Sequence, residues 1–265
     1  PKVSLGEGAV AKFPIPKFDD EIKKSISKIA YTLVEDFKNM EFFNESSFHF
    51  KGLDLLNSSE IFISDYSIRF QNFFNMKIED IYEKERTIDD LISKQPLQNE
   101  KNNSNDRDVN EFSDEVVGQK ILSYAIGCMM GRYSLDEPGL IYAHAGNQDF
   151  DASRYQTFPA DADGIIPLTE MHWFEDDATH RLREFLTAVW GKDTLDANML
   201  WLAESLDKKA SETAEDTIRR YLASKFYKDH MQTYKKRPIY WLFSSGKQGA
   251  FQALVYLHRY NESTL

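Results

Sequence analysis

Residues 235–260 read KKRPIYWLFSSGKQGAFQALVYLHRY, and their punctuation decides what kind of fold the chain can adopt. Pro238 has no amide donor and pushes Arg237 out of the helical region, so a helix arriving from upstream must end here. The run at 239–243 is β-branched and aromatic, the composition of a strand. Ser244, Ser245, Gly246 and Gly249 supply a turn, and a second apolar run returns at 250–260. A hairpin is predicted, with a helix as the other reading of the second run.

Upstream of this stretch the pattern is helical. One long helix is expected from Thr213 to Thr233. Others are expected at 195–206 after a Thr194 cap and at 173–190 before the stop at Gly191. A helix over 114–130 is apolar nearly all round in its second half, which predicts burial, and the Gly127/Gly131 pair predicts a close helix approach. Ser58 or Ser59 can cap a helix carrying Phe62, Tyr66, Phe70 and Phe74. Ile22, Ile26, Ile29, Ala30, Leu33, Val34 and Phe37 form one face of a helix over about 20–39. Residues 132–172, rich in Pro and Gly, read as a long structured loop. The expected fold class is α+β and predominantly helical: a helical connector followed by a mixed domain with a small β-hairpin or sheet near the C-terminus.

Composition sets the organisation. Residues 98–110, QNEKNNSNDRDVN, have too few apolar side chains to order themselves. The expected division is an extended segment at 1–16, a connector at 17–97, a flexible linker at 98–113 and a mixed domain at 114–265. A chain that starts at Pro1 and stops at Leu265 without a tail is expected to be a piece of a longer protein. The single cysteine, Cys128, excludes an internal disulfide and a thiolate zinc site, and suits a reducing cytoplasm. No run approaches the roughly 18 apolar residues of a membrane span.

Motifs of catalysis are missing. Asp161, Asp163 and Gly164 look like the start of a calcium loop, but Ile165 and Ile166 stand where ligands are needed. Gly246-Lys247 looks like the end of a phosphate-binding loop, but Trp241 and Gln248 break the pattern. The six histidines have no ligand spacing, so neither a metal site nor catalytic residues are expected. Glu175, Asp176 and Asp177 read as the acidic first turn of a helix.

Charge is distributed unevenly. The net charge is −11, yet the segment from Arg219 to Arg259 carries +8 and the remainder −19. In that segment cations alternate with aromatic rings, and cations can hold phosphates while rings stack on bases. The candidate DNA-binding residues are Arg219, Arg220, Lys228, Lys235, Lys236, Arg237, Tyr240, Trp241, Ser244, Ser245 and Lys247. The competing reading makes the rings core and the lysines a solvated face.

Three stretches add a resemblance: LSYAIGCMMGRYSLDEPGLIYA, FPADADGIIPL followed by WFEDD, and KFYKDHMQTYKKRPIYWLFSSGKQGAFQALVYLHRY. Together they resemble the PglX family of phage-exclusion (BREX) adenine-specific DNA methyltransferases, which is related to the fused type II restriction-modification methyltransferases. The likeness is ordered over roughly 115–265, and Phe13-Pro14 fits the segment that follows the family's catalytic core. The resemblance implies a parent enzyme that moves a methyl group from S-adenosylmethionine to adenine in double-stranded DNA, with the base flipped out. The adenine-gripping Asn-Pro-Pro-Tyr motif and the cofactor's Gly-rich turn are absent from this sequence. The chain is therefore expected to be non-catalytic, without a cofactor of its own, and to contribute to DNA target recognition. Docking to other members of a phage-defence complex is the alternative.

The linker reading has a direct test. Limited proteolysis is expected to cut first within 98–110 and leave both flanks folded. First cleavage inside 173–206 would overturn that boundary.

Overall fold

The computed structural model describes residues 18–56, 59–93, 112–169, 171, 173–246, 251–262 and 264. The expected extended segment at 1–16, the core of the linker at 98–110, and Lys247 lie outside the described residues. Seven α-helices are described: α1 (Asp20–Glu41), α2 (Ile63–Ser93), α3 (Asp114–Met129), α4 (Ala178–Trp190), α5 (Leu195–Ser205), α6 (Ala214–Ser224) and α7 (Phe226–Thr233). Strands β1 (Ile165–Pro167), β2 (Tyr240–Ser244) and β3 (Gln252–Tyr256) form one antiparallel sheet in the order β1-β3-β2. The architecture is thus α+β and mostly helical, with the sheet near the C-terminus. No described helix is long and apolar enough to cross a membrane.

Two compact units divide the chain. One holds residues 1–38 and 75–110, the other 39–74 and 111–265. In the first unit the carboxylate of Asp36 is buried and receives Lys77 Nζ at 2.8 Å and Lys84 Nζ at 2.5 Å. Those two lysines hold the Asp36 carboxyl below its ordinary range. Ile22, Ile26, Ile29 and Leu33 on α1 are half-buried, while Val34 and Phe37 are exposed.

The second unit is built around α3, which packs on α4 and α5. Its buried residues run almost continuously from Ile121 to Met129, as the apolar pattern required. Close approach at Gly118 admits Ser205 of α5, since an added Cβ would stand 2.3 Å from its Oγ. Gly127, expected to admit a helix, lies instead under the ring of Tyr133, 2.3 Å from where its Cβ would be. The stripe Tyr66, Phe70 and Phe74 is core, and Phe74 meets Phe112 at 4.2 Å between ring centres.

Local chemistry sets the helix boundaries. Asp177 begins α4, accepting from the amides of Thr179 and His180 at 2.9 Å each, so α4 starts five residues later than the pattern at 173. Thr213 and Asp216 close a capping box on α6. The single helix expected over 213–233 is two, because Lys225 (φ −116°, ψ −38°) interrupts it. Residues 250–260 resolve as a strand: β3 pairs with β2 from Tyr240↔Tyr256 to Ser244↔Gln252. It also pairs with the unforeseen β1, Ile166 opposite Leu254. Tyr240, Tyr256, Leu254 and Ile166 form the sheet's core face, all at most 1% exposed.

The loop of 132–162 is fastened from the sheet's end. Arg259 is buried with its guanidinium 3.8 Å from the Phe150 ring centre. It donates to Asn147 Oδ1 (2.8 Å), Asp161 O (2.7 Å) and Ala162 O (2.6 Å). Gly164, at φ +76°, lies against that side chain, where a Cβ would come within 3.1 Å of Arg259 Cβ. The Asp161 carboxylate accepts from the amides of Asp163 and Gly164 at 3.0 and 2.7 Å, so the calcium-like stretch is a hydrogen-bonded turn.

A second buried cation carries a prediction. Arg219 Nη1 sits 2.8 Å from Asp177 Oδ2, both side chains nearly solvent-free, and Arg219 also reaches Glu215 at 3.3 Å. Asp177→Ala removes the cap of α4 and the main partner of a buried cation, with an expected loss of about 3–5 kcal/mol in urea unfolding. Asp177→Asn keeps the cap and should lose measurably less. No loss in Asp177→Asn would show that the ion pair contributes nothing.

Candidate nucleic-acid interface

The structure sorts the cations of the C-terminal segment into two groups. Arg219 is buried on Asp177, and Arg220 is held by Glu212 through Nε at 2.8 Å and Nη2 at 3.0 Å. Arg220 in turn keeps the Glu212 carboxyl down at about 2. Arg259 is the internal clamp described above. These three arginines serve the fold. Tyr240 is likewise buried in the sheet's core face, so its ring does not reach the surface.

The second group is exposed. Lys235, Lys236 and Arg237 follow the C-terminal end of α7, and Lys228 stands in its first turn. Among the described residues none of the four makes an ion pair. Lys228, Lys235 and Lys236 line one open depression of about 480 Å³ with Met231 and Gln232. Lys235 and Arg237 line a second, of about 410 Å³, with Ser46, Thr233 and Tyr234. Lys235 lines both depressions, and these four cations make up a cationic corner.

Backbone geometry fixes where these side chains point. The amide of Lys236 reaches back to Met231 O at 2.7 Å and that of Lys235 to Gln232 O at 3.1 Å. Both residues are left-handed, with φ +51° at Lys235 and +64° at Lys236. Helices commonly end in one such residue, usually Gly; two consecutive lysines there store strain. Pro238 then leads the chain into β2. Trp241 and Phe243 stand on the sheet face opposite the core, 47% and 38% exposed, and Ser244 and Ser245 are exposed at the turn.

Beside the corner lies a feature that sequence reasoning missed. A polar cleft of about 190 Å³ is lined by Glu45, Lys120, Ser123, Tyr221, Asp229 and His230, among others, and Thr233 belongs both to it and to the second depression. Ser123 Oγ donates to Glu45 Oε2 at 2.5 Å, and Tyr221 OH donates to Asp229 Oδ2 at 2.7 Å. Burial pushes the Glu45 carboxyl up and the Lys120 ammonium down. His230 is 3% exposed, and its Nε2 accepts from the amides of Ile239 (3.1 Å) and Tyr240 (3.4 Å). That places the ring proton on Nδ1, which is buried and has no hydrogen-bond partner among the described residues. Burial, helped by the Arg132 charge, pushes the His230 pKa down to about 4. No local spacing could have revealed this cleft, because Glu45 and Ser123 lie 78 residues apart. Among the described residues no group of His, Cys, Asp and Glu is arranged to hold a metal ion.

Comparison with known proteins gives two relatives. The chain is 53% identical over 171 residues to an adenine-specific methyltransferase, BrxX, of Escherichia coli O9:H4 (strain HS), covering 61% of this chain and 14% of that protein. It is 48% identical over 147 residues to an adenine-specific methyltransferase, PglX, of Lacticaseibacillus casei (strain Zhang), covering 54% of this chain and 12% of that protein. The chain is therefore related to the PglX-type methyltransferases, as its sequence resemblance implied, and spans about one eighth of their length. No family model matches it.

The strained lysines can be tested apart from any ligand. Lys235→Gly and Lys236→Gly relieve the left-handed cost of roughly 1–2 kcal/mol, less the ~0.4–1 kcal/mol that Gly adds to the unfolded chain's freedom. Each is expected to raise stability by about 0.5–1 kcal/mol in chemical denaturation. A loss in both would mean that the lysine side chains support the fold.

Proposed function

We propose that this chain is a non-catalytic part of a site-specific, S-adenosylmethionine-dependent DNA adenine methyltransferase of a phage-defence system, and that it contributes to recognition of the DNA target. The single observation that carries the reading is the cationic corner. Lys228, Lys235, Lys236 and Arg237 are exposed with no acidic partner among the described residues, whereas Arg219, Arg220 and Arg259 of the same segment are held by the fold. A chain of net charge −11 that exposes three cations just past one helix end, with Lys228 lining a depression beside two of them, has the local potential that phosphate binding needs. Trp241, Ser244 and Ser245 follow along β2 and can meet a sugar-phosphate backbone with a flat ring and small donors. Lys247, between Gly246 and Gly249, belongs to the same candidate set. Backbone contacts of this kind position a duplex for the parent enzyme and carry no sequence information themselves.

A second reading rests on an aromatic surface that shares Trp241 with the first. Trp173, Phe174, Trp241, Phe243 and Phe251 are exposed, and Phe174 meets Phe251 edge-on at 5.8 Å. Exposed aromatics of this kind favour docking to another protein of the defence complex.

The two readings part on salt. In the complete methyltransferase, Lys235→Ala, Lys236→Ala and Arg237→Ala together are expected to weaken DNA binding similarly across sequences. They should also flatten its log-log salt dependence by about 0.9 per lost phosphate contact. Alanine keeps the left-handed cost of lysine, so the melting temperature should hold. An unchanged salt slope with a lowered melting temperature would reject the DNA role and leave these residues as partners of the helix end.

A further inference from the structure

A heptad pattern runs through both helices of the first unit. On α1, Ile22, Ile26, Ile29, Leu33 and Asp36 recur at alternating steps of four and three, and on α2 Lys77, Ile81, Lys84, Ile88 and Leu91 do the same. All ten are buried or half-buried, so they form the seam between the helices. Asp36 reaches Lys77 and Lys84, one turn to either side of Ile81, and therefore stands level with Ile81. Phe43, just past α1, meets Phe70, Phe73 and Phe74, which precede Lys77 on α2, so the two helices run antiparallel.

The two flanks of this seam differ in chemistry. Ser25, Thr32 and Asn39 on α1 and Asp80 and Thr87 on α2 make one flank polar. Ala30, Val34 and Phe37 on α1 and Ile78, Tyr82 and Ile92 on α2 make the other apolar. Val34 and Phe37 are each 50% exposed there. A two-helix layer with an apolar seam and one further apolar flank leaves a stripe that water does not favour. Toward the start of α1 that flank turns charged, with Lys23 and Lys24 on α1 and Glu85 and Asp89 on α2. The wider charge follows suit. Residues 22–34 carry three lysines and no acid, while residues 79–90 carry six acids against Lys84 and Arg86.

We infer that the apolar flank is an interface between two copies of this chain, each α1 lying on the other copy's α2 to close an antiparallel four-helix bundle. A two-fold axis parallel to the helices sets Val34 level with Tyr82 and Phe37 level with Ile78 across the interface. The same axis brings the basic start of α1 over the acidic second half of the facing α2, twice. A foreign helix pair would have to supply both signs at the same levels, whereas a second copy supplies them by symmetry. The inference is independent of the DNA reading, which concerns the other unit.

Sedimentation equilibrium of the 265-residue chain over a dilution series is expected to show twice the chain mass of 30.8 kDa, falling to one chain on dilution. Val34→Glu with Phe37→Glu buries charge at the interface and should weaken the dimer roughly tenfold or more. Phe243→Lys, on the exposed face of β2, should leave it unchanged and so separates this contact from association through the sheet. Two charge variants, Lys23→Glu with Lys24→Glu and Glu85→Lys with Asp89→Lys, should each dimerise poorly alone and recover when mixed. Mixing does not rescue a chain that has failed to fold, so recovery reports pairing between copies. A single-chain mass at every concentration would overturn the inference and leave the flank to a different protein. A dimer that tolerates the glutamates, a dimer that Phe243→Lys abolishes, or charge variants whose mixture stays as weak as each alone would overturn it too.

Discussion

The guanidinium of Arg259 is where the second unit is tied together. It leaves the end of β3, lies on the Phe150 ring and donates to three groups in the irregular stretch before β1. A loop of that length has little regular hydrogen bonding of its own, and its carbonyls need donors when buried. One arginine supplies several at once, in a fixed fork that a lysine cannot imitate. With the loop pinned, Asp161 can fold its turn, Gly164 can pass under the side chain, and β1 can reach β3. Arg259 thus holds the loop that delivers β1 to the edge of β3.

The same logic sorts the charges of the whole segment. An arginine that finds a carboxylate or several carbonyls can be buried, as Arg219 and Arg259 are. A lysine is a strongly hydrated point charge on a flexible stem and stays in water. The four described lysines of the segment, Lys225, Lys228, Lys235 and Lys236, are all exposed, and Lys247 lies outside the described residues, so residue type divides the structural cations from the surface ones with one exception. The corner is what remains after the fold has taken the arginines it needs. Arg237 is the exception, and it follows the two strained lysines directly.

Much of this architecture was legible from local pattern. The apolar circumference of α3, the aromatic stripe on α2 and the Pro238 break gave helices and hairpin in their right places, because each depends on neighbours within a few residues. What escaped depends on distant partners. β1 is three residues long and exists only because β3 offers an edge. The break at Lys225 leaves no Gly or Pro to announce it. Among the candidate contacts, Lys228, Lys235, Lys236 and Arg237 come together, whereas Arg219, Arg220 and Tyr240 are drawn inward by Asp177, Glu212 and the sheet. A list of cations along the chain cannot tell a buried guanidinium from an exposed one, and the polar cleft needs segments near residues 45, 120 and 230 to meet.

Strand order leaves one more mark on the molecule. With β3 in the centre and β1 on one side, β2 is an edge whose outer amides and carbonyls pair with no strand among the described residues. Edges of this kind are templates for other chains unless something blunts them. Here the blunting is modest: Pro238 precedes the strand, β2 is five residues long, and Trp241 and Phe243 make its face adhesive. A solution of the chain alone should therefore be sensitive to its own concentration. Handling it dilute keeps that edge from becoming the seam of an aggregate.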